Sequence, residues 1–152
     1  MLLIINRSTS NKLRKRFLEL SIAFLEHLED PVLPGLDSVL ERFANPLEPG
    51  FAFLWLQEEE PIGMAYANLG TGMAAAGRYC WLNGIYLEEE HRSQGQGQRF
   101  LQALIDWSET QDCVDFFACR GPQNSASAAL FNAAGFSQDE VIMMEKRSGR
   151  IS

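Results

Sequence analysis

The stretch FAFLWLQEEEPIGMAYANL, residues 51–69, constrains the fold more than any other. An apolar run, FAFLWLQ, reads as a strand; EEEP is a turn; IGMAYANL is the strand that returns. A hairpin at this point commits the chain to a sheet, and the flanking segments must fit around it. Before it, LLIIN is a short first strand. Leu13, Phe17, Leu20, Phe24 and Leu28 then recur at helical spacing, with Ser10 or Asn11 placed to cap the start. DPVLPG breaks that helix, a shorter one runs from Leu36 to Phe43, and NPLEPG ends it. After the hairpin come a small-residue connection (GTGMAAAG), a strand (RYCWLNGIYL) and a helical pattern over Phe100, Leu101, Leu104, Ile105 and Trp107. A strand (VDFFACR), a helix closed by Gly135 and a last strand, VIMMEKR, complete the chain. The order β-α-α-β-β-β-α-β-α-β, with no repeat and no linker, predicts a mixed α/β sheet in one domain spanning residues 1–152.

The 152 residues can bury a sizeable core, and 46% apolar with 22% charged residues is the mix of a soluble globular protein. A net charge of −7 argues against nucleic acid or an anionic membrane as a partner. MLLIINRST is too short for a signal-peptide core, and no run approaches a membrane span. Cys80, Cys113 and Cys119 are odd in number and form no CxxC pair, which fits a reduced, cytoplasmic chain with no zinc site. His27 and His91 lie too far apart to suggest a metal site. Lys12, Arg14, Lys15 and Arg16 read as a solvated helix face, with Lys15 and Glu19 spaced to pair.

His91–Phe100 reads HRSQGQGQRF, with two glycines where a strand gives way to a helix. The first N–H groups of a helix have no intrahelical partner, and its dipole adds roughly half a positive charge there. Glycines allow a phosphate to sit directly on those amides, and Arg92 adds a cation. A Walker loop would need a lysine after the second glycine, where Gln98 stands. A dinucleotide fingerprint would need a third glycine in place of Phe100.

Arg92-Ser93-Gln94-Gly95-Gln96-Gly97 does match R/Q-x-x-G-x-G/A. It resembles the pyrophosphate-binding motif of the GNAT superfamily of acyl-CoA-dependent N-acetyltransferases. Asn124, Phe131, Gly135 and Phe136 are similar to that family's second motif. The resemblance covers most of the chain. It implies a single-domain, mostly antiparallel sheet flanked by helices, whose fourth and fifth strands splay apart to take the pantetheine arm of acetyl-CoA. Gly84, inside a strand, is consistent with a bulge there. The backbones of Ile85 and Leu87 are then expected to face the pantetheine and the thioester. The N–H groups from Gln94 to Gln98, with Arg92 and Ser93, are expected to cradle the pyrophosphate, and Asn124 to lie beside the pantetheine.

The resemblance implies direct attack of a primary amine on the acetyl thioester, with no metal. Holding a lysine-like amine neutral at pH 7 costs about 4.6 kcal/mol, which a base or a desolvating pocket must supply. The family places Glu or His where this chain has Trp81 and Asn83, and a tyrosine acid where it has Phe131, which is expected to pack near the sulfur of CoA. Tyr86 and Glu88 are the nearest ionisable replacements, and Asn83 is suited to holding a water that relays a proton. Asp30, Asp37, Glu41 and Glu48, with Phe43, Phe51 and Trp55, would suit a cationic acceptor, either a small molecule or a peptide amine. A non-catalytic acyl-CoA-binding sensor or scaffold is the alternative. Either is compatible with a monomer or a homodimer.

Overall fold

The computed structural model describes residues 1–147. Five strands form one sheet in chain order: β1 (Leu2–Ile4), β2 (Gly50–Gln57), β3 (Glu60–Gly72), β4 (Gly77–Leu87) and β5 (Cys113–Ala118). All neighbours are antiparallel except β4 and β5, which are parallel. Helices α1 (Asn11–His27) and α2 (Leu36–Phe43) separate β1 from β2. Helix α3 (Gln96–Thr110) makes the crossover from β4 to β5, as a parallel pair requires, and α4 (Ser125–Ala133) follows β5.

Two cores lie on opposite faces of the sheet. Alternation along β2 sends Phe53 and Trp55 to the α3 side, where they join Leu82, Phe100, Leu104, Trp107 and Phe131. Ala52, Leu54 and Leu56 go to the α1 side, with Phe17, Leu20, Leu40 and Met64. The hairpin strands are therefore apolar on both faces because both faces are covered. Ser10 caps α1 through its side chain, which accepts from the Leu13 N–H. Glu19 pairs with Arg16 at i,i+3 and not with Lys15, because Arg16 lies over the start of β3, where it also meets Glu88 and the Pro61 carbonyl.

The last predicted strand, VIMMEKR, does not form. Residues 141–147 have no regular structure and no ladder partner, although Val141 and Ile142 have strand-forming side chains. A strand exists only through its pairing, and this segment has none among the described residues.

Candidate active site

The register of β4 builds the site. Tyr66 pairs with Gly84 and Ala67 with Leu82, which leaves Asn83 as the extra residue of a bulge. On its other side β4 pairs with β5 only from Arg78–Cys113 to Leu82–Ala118. Beyond Leu82 the two strands part, and the segment Asn83–Leu87 has an open edge. The Glu88 N–H donates to the Ile62 carbonyl on the β3 side. Strand alternation therefore turns the backbone groups of Ile85 and Leu87 toward the open edge.

That edge leads to the start of α3. Its N-cap is Gly95, at φ +76°, a left-handed conformation in which glycine carries no steric cost, and no side chain caps the helix. The N–H groups of Gln96, Gly97 and Gln98 are left without intrahelical partners. Ser93 also adopts a positive φ, 61°, so the loop folds back on itself just before the helix. The Gln94 side chain donates to the Glu90 carbonyl, and Gln98 is exposed. Gln96 turns inward, where its carboxamide oxygen accepts from the Trp55 indole N–H at 2.9 Å. The first turn is thus anchored to the core while its amides face outward. This geometry fits an extended thioester arm ending in a pyrophosphate.

Several side chains do not lie where the sequence placed them. Arg92 turns back to the sheet. Its Nε donates to the Leu87 carbonyl at 2.8 Å, and its guanidinium stands 5.4 Å from the centre of the Tyr86 ring. The cation beside the helix start is instead Arg99, which donates to the Gln94 carbonyl. A basic residue four positions after a capping glycine was the signal to follow. Glu88 is closed off by an ion pair with Arg16. It also brings a ligand atom within 4.8 Å of Glu90 and His91. Phe51 and Trp55 face α3, away from α1 and α2, while Glu41 and Glu48 pair with Arg14 and Arg42. Of the acidic and aromatic candidates, Asp30, Asp37 in the first turn of α2, and Phe43 remain on the α1 side.

There, Gly84 opens a space that aromatic rings fill. A Cβ at Gly84 would come within 2.6 Å of the Tyr66 ring and 2.7 Å of the Phe24 ring. Phe24 in turn meets Tyr86, His27 meets Tyr86, and Phe43 meets Tyr66, all at 6.0–6.3 Å between ring centres. Burial, and next the charge of Asp30, push the Tyr66 phenol up from its usual pKa. The Asn83 amide donates to the Asn68 carboxamide, which places both on this face. Phe117 of β5 packs against Tyr79 at 5.7 Å and Trp81 at 5.9 Å, continuing the aromatic surface past the gap. The sequence reading gave His27, Tyr66, Asn68 and Phe24 no place in the site, because only the sheet register and the packing of α1 over β3 and β4 bring them together.

On the other face, Phe131 is buried against Phe136, their ring centres 5.1 Å apart. The Asn124 carboxamide oxygen caps α4 by accepting from the Ser127 N–H at 3.0 Å, which leaves its NH2 without a partner among the described residues.

The model of the acetyltransferase (GNAT) family matches residues 18–136. The chain belongs to this family. As a GNAT acetyltransferase it moves an acetyl group from acetyl-CoA to an amine. No curated protein sequence matches it. Among solved structures, a probable acetyltransferase is 19% identical, with a TM-score of 0.76 over 100% of this chain and 98% of the other. An aminoglycoside acetyltransferase from an uncultured soil metagenomic sample, in complex with sisomicin, is 13% identical, with a TM-score of 0.80 over 98% and 96%. The aminoglycoside N-acetyltransferase AAC(6')-Iy, in complex with CoA, is 19% identical, with a TM-score of 0.70 over 97% and 100%. At these identities the likenesses are of fold. Nothing in the fold or in the family match favours the binding-module alternative.

Proposed function

We propose that this GNAT acetyltransferase takes acetyl-CoA along the open edge of β4 and a cationic primary amine from the α1 side of the sheet. The observation that carries this reading is the continuity of the unpaired edge, Asn83–Leu87, with the uncapped start of α3. The N–H groups of Gln96, Gly97 and Gln98, with Arg99 beside them, hold the pyrophosphate. Ile85 and the Leu87 N–H pair with the pantetheine, the Leu87 carbonyl being already taken by Arg92. The NH2 of Asn124, which has no partner among the described residues, donates to the same arm.

The acceptor amine enters over Tyr66, Tyr86 and Phe24. The Asp30 carboxylate draws in its ammonium form, and the rings exclude water as it nears the thioester. Asn83 and Asn68 together hold a water that takes the amine proton. His27, at the mouth of the cluster, receives that proton on its imidazole. The Tyr86 hydroxyl donates to the departing thiolate. Glu88, held by Arg16, takes no part. Aminoglycosides, the substrates named for two of the structural neighbours, head the panel of acceptors to test. The three free cysteines suit a reducing, cytoplasmic setting, and among the described residues no helix is long and apolar enough to cross a membrane.

Acetyl-CoA at a hundred times its dissociation constant is expected to stabilise the fold by about 2.7 kcal/mol, raising Tm by several degrees in a thermal melt. An unchanged melt with millimolar acetyl-CoA or CoA would contradict the cosubstrate site. Thiol release across a panel of amines then identifies the acceptor. His27→Gln is expected to cut turnover about tenfold. The acetyl-CoA melting shift should stay intact. Unchanged turnover in the variant assigns proton acceptance to another group.

A further inference from the structure

We infer that Trp55 is a positioning residue for the cosubstrate: through Gln96, its indole N–H holds the first turn of α3 in the pose that receives the pyrophosphate. The inference rests on the reading of that helix start as the pyrophosphate site. Helix ends fray, and this one has few means of resisting. Gly95 at the cap brings no side chain, Gly97 follows two residues later, and Ser93 and Gly95 both sit at positive φ. A glycine loses more backbone freedom on ordering than any other residue. Amides that must converge on one anion therefore need a tie from outside the turn.

Gln96, between the two glycines, supplies that tie. Trp55 lies on β2 and is 8% exposed, and its indole N–H meets the Gln96 carboxamide oxygen at 2.9 Å. An indole nitrogen donates and cannot accept, so it also fixes which end of the carboxamide faces the core. The same indole stacks on Phe100, one turn further along α3, with ring centres 5.3 Å apart and planes 19° apart. Trp55 thus grips one face of α3 at two positions four residues apart.

β3 supplies the seat. Gly63 pairs with Trp55 on one side and with Leu87 on the other. A Cβ at Gly63 would stand 3.3 Å from Phe100 and 3.1 Å from Leu87, so the Phe100 ring occupies the notch that the missing side chain leaves. That ring fixes where α3 rests on the sheet, but it stands four residues beyond the turn that must bind the anion. The hydrogen bond to Gln96 extends the hold to that turn. It sets the N–H groups of Gln96, Gly97 and Gln98 relative to Leu87, where β4 and its open edge end. Without it the ligand itself would have to order the turn, and that cost would be subtracted from affinity. The reaction at the thioester would not change.

Trp55→Phe keeps an aromatic ring on Phe100 and removes the donor. Gln96→Met keeps the length of a half-buried side chain and removes the acceptor. In calorimetric titration each should weaken acetyl-CoA binding about tenfold, and the double variant no more than either alone, since the two share one contact. S-acetylpantetheine, which carries the thioester and the arm but no pyrophosphate, should bind every variant as it binds the parent protein. In the unliganded variants, amides 96–98 should exchange faster and amides 104–110 at the parent rate. Unchanged acetyl-CoA affinity in Gln96→Met would overturn the inference, even if Trp55→Phe proves too unstable to titrate. Equal losses for both ligands would also overturn it and reduce Trp55 to a packing residue. Gly97→Asp separates this role from the reading beneath it. If that variant loses acetyl-CoA affinity and the other two do not, the role of Trp55 falls alone. If none of the three loses affinity, the pyrophosphate site falls with it.

Discussion

Gly84→Val is expected to lower stability by about 3 kcal/mol, near the upper end for overpacking, and to cut turnover with it. The new Cβ would stand 2.6 Å from Tyr66 and 2.7 Å from Phe24, and valine adds two further methyl groups in the same direction. Tyr66 is half-buried and flanked by Phe43, while Phe24 is packed against both Tyr66 and Tyr86, so neither ring can retreat without disturbing the next. Thermal melting should register a loss of roughly 10 °C in a domain of this size. If Tm falls by only a degree or two, the rings swing outward freely, and the acceptor wall is pliable rather than packed. Gly84→Ala should show the same effect in smaller measure.

The second large effect is on cosubstrate affinity. Gly97→Asp is expected to weaken acetyl-CoA binding by roughly ten- to a hundredfold while leaving the unliganded fold intact. A Cβ at Gly97 would meet only Leu130, at an ordinary 3.7 Å, so the helix start accepts a side chain. A carboxylate in the first turn also favours the helix by a few tenths of a kcal/mol, since it opposes the positive end of the dipole. The same charge near the pyrophosphate costs about 2 kcal/mol at 5 Å with partial screening. Stability of the free protein and affinity for acetyl-CoA therefore move apart. Gly97→Ala should change neither much. Calorimetric titration gives the affinity directly, and equal values for the aspartate variant and the parent protein would remove the helix start from the binding site.

The features legible in the sequence are those set by neighbouring residues. The hairpin, the helical stripes of α1 and α3, the Ser10 cap and the two-glycine loop depend on patterns a few residues long, and each stands where it was expected. Gly84 announced a bulge, and the register slip lies beside it, at Asn83. What escaped depends on which side chains the sheet brings together. Arg16 and Glu88 are 72 positions apart and meet only because α1 passes over the start of β3. The alternation of β2 shows that Phe51 and Phe53 share a face, but not that α3 covers it. Arg92 looked like an anion ligand by position, yet the left-handed turn at Ser93 lets it reach back to β4, and Arg99 takes the place beside Gln94. The last strand failed for a related reason. Propensity describes one strand, whereas pairing needs two, and residues 141–147 have no ladder partner among the described residues.

The parting of β4 and β5 has a consequence for how the protein opens. Rungs from Arg78–Cys113 to Leu82–Ala118 are all that tie β5 to the rest of the sheet. The chain beyond α3 is therefore a seam, expected to exchange its amides through partial opening long before the β2–β3 hairpin lets go. A cosubstrate threaded through the gap, with one end on α3 and its arm against β4, would bridge that seam like a row of stitches. Its protective effect should then be local, slowing exchange most in β5 and α4 and least in the hairpin. Protein depleted of CoA would lose its C-terminal third to proteases first.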